Sequence, residues 1–531
     1  MPPSNSSSAF LSASGERFAV SSGCAEATAA ALDCLQRGGN VVDAALAGSA
    51  VLCVVLPHAV TIGGDLFALV KLGDRPIEAV NASGAAPRGA SIEAFAARGL
   101  DLVPVSGPLS IQTPGLVAGW QAMAERWASR PLGELLASAI AHARDGFRVG
   151  ARLAMFVAEA EPSFRDIAGW RDSFAPGGRA LRTGDRFVQE ALARTLERIA
   201  AEGARGFYAG PVARDMARSV QDAGGFLSQQ DLAAARADVA APLSLRYRDV
   251  EVSTQPPISQ GAILLRALGL LMHSAPEPKR IGEPELWARA AHALRQAFDE
   301  RLALLGDGPD ALRRAQDMLA GRSAASRPAR GAFARVGSET TTLSVMDASG
   351  NAVSMIQSVF ADLGSGVVAR ESGVLFNNRL SAFFLDESHP NYLAPGRRTM
   401  HTLHSFIARD ADGLAWVGGS PGGDSQPQVN LQLLVRLVDL GEAPSRAVAA
   451  PRWAITPGTA PSDLAAARGD GVKCEPGLDP EIIRALSGAG FAPAYQDSAN
   501  LGSAKLVGRG AGPGALAAWS DRRRDGAVAA L

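Results

Sequence analysis

Three consecutive threonines, Thr340 to Thr342, are residues whose type and position could support catalysis. A hydroxyl is a weak nucleophile until a base removes its proton. A threonine at a chain N-terminus carries that base in its own α-amino group, whose pKa is about 7.7 to 8. Because Thr340 lies inside the encoded chain, its hydroxyl must first break the Glu339–Thr340 bond by attacking the preceding carbonyl. That cut leaves two chains, residues 1–339 and 340–531.

The sequence around the threonines predicts a β-hairpin. Residues 341–347 alternate into a turn at 348–351, and residues 352–358 continue as a second strand. Such a hairpin puts Thr340 at a strand end and brings Ser358 beside it, where we expect the serine hydroxyl to bond the threonine. On local sequence alone, a β-branched strand start with no chemical role explains the threonines better than catalysis does, and the residues that follow are what favour catalysis.

The hairpin and the residues after it resemble the γ-glutamyltranspeptidase family of N-terminal nucleophile hydrolases. The matching residues are Thr340-Thr341, Ser344-Val345, Asp347, Gly350-Asn351-Ala352-Val353, Gly364-Ser365-Gly366, Gly373-Val374-Leu375 and Asn377-Asn378. The register on Ser344-Val345 selects Thr340 as the nucleophile. Residues 419–423 are similar to the family's glycine-rich loop, which implies an oxyanion hole formed by the N–H groups of Gly422 and Gly423.

The resemblance extends over nearly the whole chain, through landmarks such as residues 38–45, 63–67, 113–119 and 206–210. It implies an α+β fold of the four-layer αββα type, and the alternation of helical and strand patterns suits such a sandwich. The two chains produced by the cut would together form one domain. No cofactor or metal is expected.

The substrate pocket departs from the family pattern. Where the family has an arginine that holds the substrate α-carboxylate, this chain offers Ser83. The groups that usually grip the α-amino group correspond to Phe360, Arg379 and Ala382, and the usual serine pair corresponds to His401-Thr402. Because Arg379 would repel an ammonium group, the pocket disfavours an amino-acid-like head group.

The combination of intact catalytic residues and an altered pocket resembles the subgroup that includes oxamate amidohydrolase. Arg379 is then a guanidinium presented to a small carboxylate, although a structural ion pair explains it equally well. The other residues predicted to bind substrate are Phe360, Asn378, His401, Thr402 and Asp424. His401 is also compatible with a buried structural histidine, and Asp424 with positioning of the glycine loop.

Composition restricts the partners. The net charge is −1 and both signs are dispersed, so neither nucleic acid nor an anionic membrane is expected to bind. The four cysteines lack metal-like spacing. The first eight residues do not meet signal-peptide criteria, and the longest apolar run, residues 44–56, is too short to span a bilayer, so we expect a cytoplasmic protein. The expected partners are a small-molecule amide or acyl substrate and the chain's own cleaved half, as αβ or α₂β₂.

Helical spacing predicts helices over residues 25–36, 41–56, 187–201, 285–304 and 480–487, and an amphipathic helix over 429–440. The segment 311–335, rich in Arg, Ala, Ser and Gly, is expected to be mobile or exposed.

Three functions remain open at this level. The first is a self-processing amidohydrolase or acyltransferase acting on a small amide that is not a standard γ-glutamyl compound. The second is a γ-glutamyltransferase or glutathione hydrolase with a rearranged pocket. The third is a non-catalytic relative used for binding or as a scaffold.

Overall fold

A computed structural model describes residues 10–322, 339–456, 470–496 and 501–531. The strands are β1 Phe10–Gly15, β2 Phe18–Ser22, β3 Asp65–Lys71, β4 Glu78–Ala82, β5 Phe147–Arg148, β6 Arg186–Phe187, β7 Asp238–Ala240, β8 Leu243–Tyr247, β9 Val250–Thr254, β10 Thr341–Asp347, β11 Ala352–Ser358, β12 Val368–Ala369, β13 Val374–Leu375, β14 Phe406–Asp410, β15 Gly413–Gly419, β16 Trp453–Ile455, β17 Gly471–Cys474, β18 Ala492–Tyr495, β19 Lys505–Arg509, β20 Leu516–Asp521 and β21 Ala527–Ala530.

The α-helices are α1 Ala25–Gln36, α2 Val41–Val55, α3 Ile92–Ala96, α4 Leu116–Trp127, α5 Leu132–Leu135, α6 Ala137–Asp145, α7 Ala151–Phe164, α8 Trp170–Phe174, α9 Glu190–Glu202, α10 Arg205–Tyr208, α11 Gly210–Asp222, α12 Gln229–Ala233, α13 Gly261–Ser274, α14 Pro278–Ile281, α15 Glu283–Leu304, α16 Ala311–Leu319, α17 Ser425–Leu434, α18 Pro444–Ala449 and α19 Pro480–Gly488.

Two seven-stranded antiparallel sheets form the centre of the molecule. Sheet I has the strand order β1-β20-β19-β15-β14-β9-β8, and sheet II has the order β21-β2-β10-β11-β3-β4-β7. Within sheet II the β10–β11 hairpin pairs Thr341 with Gln357 and Ser344 with Ser354. Strands β2 and β3 flank this hairpin on its two sides.

Three buried clusters separate the layers. Side chains such as Leu69 and Met346 of sheet II meet Ile407 and Val417 of sheet I between the two sheets. A larger cluster packs the other face of sheet II against α1, α2 and their neighbours. A third cluster packs the outer face of sheet I against α13, α15 and α17. The order of layers is therefore helix, sheet, sheet, helix, and the predicted α+β sandwich of the αββα type is confirmed.

Local sequence explains where helix α2 begins. Asn40 Oδ1 accepts hydrogen bonds from the N–H groups of Val42 at 2.8 Å and Asp43 at 3.0 Å. The Asp43 carboxylate in turn accepts from the N–H of Asn40 at 2.8 Å, which completes a capping box. Every residue of α2 is buried, because the helix lies between sheet II and the surrounding helices.

The hairpin and the helix over 25–36 have the predicted bounds, and the other predicted helices are present with their ends shifted by at most three residues, apart from one. The exception is the amphipathic helix over 429–440, which was wrong in two respects. Helix α17 begins earlier, at Ser425, and passes after Leu434 into a π-helical turn over Val435–Asp439. All residues of α17 are buried, and its polar side chains Gln428 and Gln432 donate to the backbone carbonyls of Ile455 and Trp453 in β16 at 3.1 and 2.7 Å.

The segment predicted to be mobile or exposed falls into two parts. Residues Ala311–Leu319 form helix α16, with Ala315 and Met318 buried. Residues 323–335 lie outside the described residues. Among the helices that the structure describes, none is both long and apolar enough to cross a bilayer.

Candidate functional site

Thr340 and Ser358 meet at the open end of the β10–β11 hairpin. Thr341 pairs with Gln357 at this end of the hairpin. Ser358, one residue further along β11, therefore lies beside the Glu339–Thr340 peptide. Ser358 Oγ donates a hydrogen bond to the carbonyl oxygen of Glu339 at 2.7 Å and accepts one from the N–H of Phe360 at 2.8 Å. The expected bond from Ser358 to the threonine is thus replaced by a bond to the carbonyl that precedes it. This donor withdraws charge from the Glu339 carbonyl carbon, which the sequence predicts to be the target of Thr340.

The glycine loop follows β15 and approaches the same end of the hairpin. A Cβ at Gly419, the last residue of β15, would lie 3.5 Å from Cγ2 of Thr342. Pro421 lines a small cavity together with Glu339 and Thr340. The glycine loop therefore begins beside Thr340.

The backbone of the loop requires glycine. Gly422 has φ 122° and Gly423 has φ 55°, and a Cβ at Gly422 would lie 2.4 Å from Ser425 Oγ. The carbonyl groups of both glycines are engaged, by the N–H groups of Ser425 and Gln426 at 3.0 and 3.1 Å. In a trans peptide the N–H points away from the preceding carbonyl. The Gly423 N–H therefore points away from the Gly422 carbonyl and from the Ser425 N–H that donates to it. No described residue accepts a hydrogen bond from the N–H of Gly422 or Gly423.

A second cluster, fully buried, surrounds Arg379. The centre of its guanidinium lies 4.0 Å from the centroid of the Phe360 ring, within the range of a cation–π contact. Its Nη1 is 3.4 Å from Thr402 Oγ1, and its Nε is 3.7 Å from Asp65 Oδ2. Burial lowers the pKa of Arg379 to about 9, and the charge of Asp65 acts in the opposite direction. The arginine is therefore still charged at neutral pH.

His401 shares the Asp65 carboxylate with Arg379. His401 Nε2 lies 3.1 Å from Asp65 Oδ2, and the N–H of Leu403 donates to Nδ1 at 3.3 Å. Burial lowers the pKa of His401 to about 4, and Arg379 acts in the same direction. The neutral tautomer that satisfies both contacts carries its proton on Nε2 and donates it to Asp65.

The Arg379 cluster lies beside Ser358 and is tied to the glycine loop. Ser358 pairs with Asp65 across β11 and β3, and Phe360 follows Ser358 in a left-handed conformation with φ 86°. Gln260 Nε2 donates to the carbonyls of Thr402 at 2.5 Å and Gly423 at 2.9 Å. A displacement at one part of the site is thus transmitted to the others through buried hydrogen bonds.

Arg379 retains unused hydrogen-bonding capacity. Among the described residues, its Nε and Nη2 have no hydrogen-bond partner, although the side chain is 0% exposed. A buried charged donor without an acceptor is costly. An anion in contact with these nitrogens would satisfy them.

Asp424 and Asn378 support loops in this structure. Asp424 Oδ1 accepts from Arg301 Nη1 at 2.9 Å immediately after the glycine pair. Asn378 accepts from the N–H of Ala361 at 3.0 Å and donates to the carbonyl of Val105 at 2.6 Å. Their predicted contact with substrate remains a prediction.

The sequence analysis missed several residues of the site. Asp65 lies within the landmark 63–67, but nothing in the sequence assigned it a role of its own. In the structure it is a buried acid between Arg379 and His401, at the centre of the cluster. Arg152 and Arg524, which both contact the carboxylate of Glu339, carried no recognisable signal. They are distant in sequence from the threonines and are brought there only by the fold.

Comparison with known proteins agrees with this geometry. The model of the family described as gamma-glutamyltranspeptidase matches residues 27–531. The glutathione hydrolase-like YwrD proenzyme of Bacillus subtilis is 34% identical over 435 residues, which are 79% of this chain and 81% of that protein. The oxamate amidohydrolase proenzyme of Klebsiella pneumoniae is 34% identical over 449 residues, 80% of this chain and 83% of that protein. The crystal structure of cephalosporin acylase from Bacillus halodurans superposes with a TM-score of 0.89 and 31% identity, covering 98% of this chain and 97% of that one.

Proposed function

We propose, from the premise that this chain belongs to the gamma-glutamyltranspeptidase family, that it is a proenzyme which cuts itself before Thr340 and then transfers a small acyl group. The chain is an enzyme of the N-terminal nucleophile hydrolase class, so the non-catalytic interpretation is set aside. The observation that carries the position of the cut is the hydrogen bond from Ser358 Oγ to the Glu339 carbonyl.

Self-cleavage begins when Thr340 Oγ attacks the Glu339 carbonyl carbon. The oxygen of that carbonyl takes up negative charge, which the Ser358 hydroxyl stabilises. Collapse of the intermediate breaks the C–N bond, the Thr340 nitrogen takes the proton that its hydroxyl has lost, and Glu339 is left as an ester on Thr340 Oγ beside a free amine. Water hydrolyses the ester, so the new ends are the carboxyl group of Glu339 and the amino group of Thr340.

In the processed enzyme, the α-amino group of Thr340 accepts the proton of its own hydroxyl. The alkoxide attacks the substrate amide, and the N–H groups of Gly422 and Gly423 stabilise the oxyanion. The leaving amine takes the proton from the Thr340 ammonium. Water or an acceptor amine then releases the acyl group from the threonine ester.

The proposed substrate is a small amide whose acyl group bears a carboxylate, such as an oxamate-like acid amide. The support is Arg379, a buried guanidinium with two unused donor nitrogens next to Ser358. A bidentate or charge-assisted contact to a small carboxylate would satisfy those donors. An ammonium group in the same place would meet a like charge. The oxamate amidohydrolase relative has a substrate of this type in its name.

The second candidate is hydrolysis or transfer of a γ-glutamyl group. It is favoured by the glutathione hydrolase-like relative, which matches this chain at the same identity. A panel that compares oxamate-like amides with a chromogenic γ-glutamyl anilide separates the two. Higher kcat/KM for the anilide would establish the second candidate in place of the first.

The first test concerns the nucleophile. Thr340→Ala should leave a single, inactive chain, whereas Thr342→Ala, two residues along the same strand, should still be cut. Intact-mass spectrometry followed by N-terminal sequencing of the smaller chain gives the result. Two chains from Thr340→Ala, or a smaller chain that begins at another residue, would refute the assignment.

A further inference from the structure

The side chain immediately before the proposed cut is held by two arginines. Glu339 is only 4% exposed. Its Oε1 lies 2.5 Å from Arg152 Nη2 and 3.0 Å from Arg524 Nη1. A carboxylate is rarely buried unless cations of this kind compensate the lost hydration. The two arginines therefore form a carboxylate-binding site whose occupant is the chain's own residue 339.

The two arginines are far apart in the sequence. Arg152 lies in the first turn of helix α7, and its guanidinium rests 5.0 Å from the Phe156 ring centroid. Arg524 lies in the turn between β20 and β21, only a few residues before the end of the chain. Both side chains are largely buried, with 14% and 7% of their surfaces exposed. Packing thus fixes both guanidinium groups before Glu339 enters the site.

Glu339 is fixed at two points. Its carboxylate is held by the arginines, and its carbonyl oxygen accepts the hydrogen bond from Ser358. Four single bonds, through Cα, Cβ and Cγ, join the Glu339 carbonyl carbon to its carboxylate carbon. Fixing both ends of this short path restricts where the carbonyl carbon lies. Restriction of a reacting carbon next to its nucleophile is a large contribution to intramolecular reactions.

We propose that Arg152 and Arg524 are positioning residues for self-cleavage: they bind the Glu339 carboxylate and hold its carbonyl carbon for attack by Thr340. This inference rests on the proposed cut before Thr340. It makes an acidic residue at position 339 a requirement for fast maturation. Because Arg524 lies in the turn that joins β20 to β21, it also makes the cut wait until these two strands are in place.

The test measures the rate at which the chain beginning with Thr340 appears after refolding. Glu339→Gln keeps the size of the side chain and removes its charge, and we expect cleavage at least tenfold slower. Arg152→Gln and Arg524→Gln should slow it to a similar extent. Arg165→Gln, at the other end of α7 from Arg152, and Arg522→Gln, two residues before Arg524, change exposed arginines; they are the controls and should cleave at the wild-type rate.

The double variant Glu339→Gln with Arg152→Gln separates positioning from a general effect on folding. If the arginine acts through the carboxylate, the double variant is no slower than either single variant. A double variant whose slowing is the product of the slowing in the two single variants would overturn the proposal. A wild-type cleavage rate in Glu339→Gln would also overturn it. A wild-type chain that stays whole would refute both the proposed cut and the positioning role of the two arginines. Normal cleavage of Glu339→Gln would refute the positioning role alone.

Discussion

Arg379 is the residue that we propose selects the head group of the substrate. Replacement by Gln removes the charge, and we expect KM for an oxamate-like amide to rise about 10- to 100-fold, since a hydrogen bond to a charged group contributes about 1.5–3 kcal/mol. Arg379→Lys keeps the charge but loses the planar guanidinium, so its KM should lie between those of the wild type and Arg379→Gln. Arg370→Gln, which alters an exposed arginine paired with Asp172, is the control.

Steady-state kinetics on fully cut protein measure this effect, with a thermal melt to show that each variant is folded. The melt is needed because Asp65 would keep only His401 and the Gly84 N–H as partners in the Arg379→Gln variant. An unchanged KM in a folded variant would mean that Arg379 is a structural ion pair and that the carboxylate binds elsewhere.

Asp362 is the second single residue with a measurable consequence. Burial raises its pKa to about 7, and the charge of Glu339 acts in the same direction. An acid whose pKa is higher in the folded than in the unfolded state binds more protons when folded, so its contribution to stability falls as pH rises from about 4 to 7. Asp362→Asn should therefore stabilise the chain more at pH 8 than at pH 5, by on the order of 2 kcal/mol.

Urea unfolding in the Thr340→Ala background measures this difference without interference from the cut. Burial lowers the pKa values of His58 and His401 to about 4, which gives the opposite slope, but these residues are common to both proteins and cancel in the comparison. Asp412→Asn, at an exposed position, is the control and should show no pH-dependent difference. An equal gain at both pH values would mean that Asp362 ionises normally in the fold.

At the scale of elements, we expect the hairpin and the glycine loop to serve different reactions. The Glu339 carbonyl is bonded to Ser358 at the end of β11, whereas no described residue uses the N–H groups of the loop that follows β15. Gly422→Ala keeps the N–H, but its Cβ would lie 2.4 Å from Ser425 Oγ at a φ of 122°, so the loop has to shift and the donor is displaced. Acyl transfer should therefore fall by about 10²- to 10³-fold, the cost of losing an oxyanion donor. Self-cleavage should continue at nearly the normal rate.

The matched control is Gly413→Ala. Gly413 has a similar backbone conformation, with φ 108°, but nothing lies within 4 Å of an added Cβ. It reports the cost of strain without any effect on the loop. Single-turnover cleavage and steady-state hydrolysis should be measured on the same preparations. A parallel loss of both reactions in Gly422→Ala would show that the loop also stabilises the self-cleavage intermediate.

The same elements show how far the sequence alone could lead. The hairpin was predictable because a two-residue alternation and a turn of Ala348 to Asn351 are local features. Helix α2 was predictable from its helical spacing, and the capping box at Asn40 accounts for its first residue. The burial of α17 was not predictable, since it depends on which helix covers it. Likewise, the roles of Asp65, Arg152 and Arg524 arise from contacts between residues far apart in the chain.

At the scale of the whole molecule, the proposed cut would leave two chains that are interleaved in both sheets. In sheet II, strands β2 and β3 of the first chain flank β10 and β11 of the second, and β21 pairs with β2. In sheet I, β1 pairs with β20 and β9 pairs with β14. Separation of the chains would expose the edges of all these strands and the apolar cores between the layers.

We therefore expect the cut protein to remain one particle under native conditions and to separate into two chains only after denaturation. Size-exclusion chromatography with light scattering, beside a denaturing gel, tests this. The mass of an αβ particle should equal that of the Thr340→Ala single chain, 54.8 kDa, and twice that mass would indicate α₂β₂. Two separate native peaks, one for each chain, would show that the interleaved sheets do not hold the chains together after the cut.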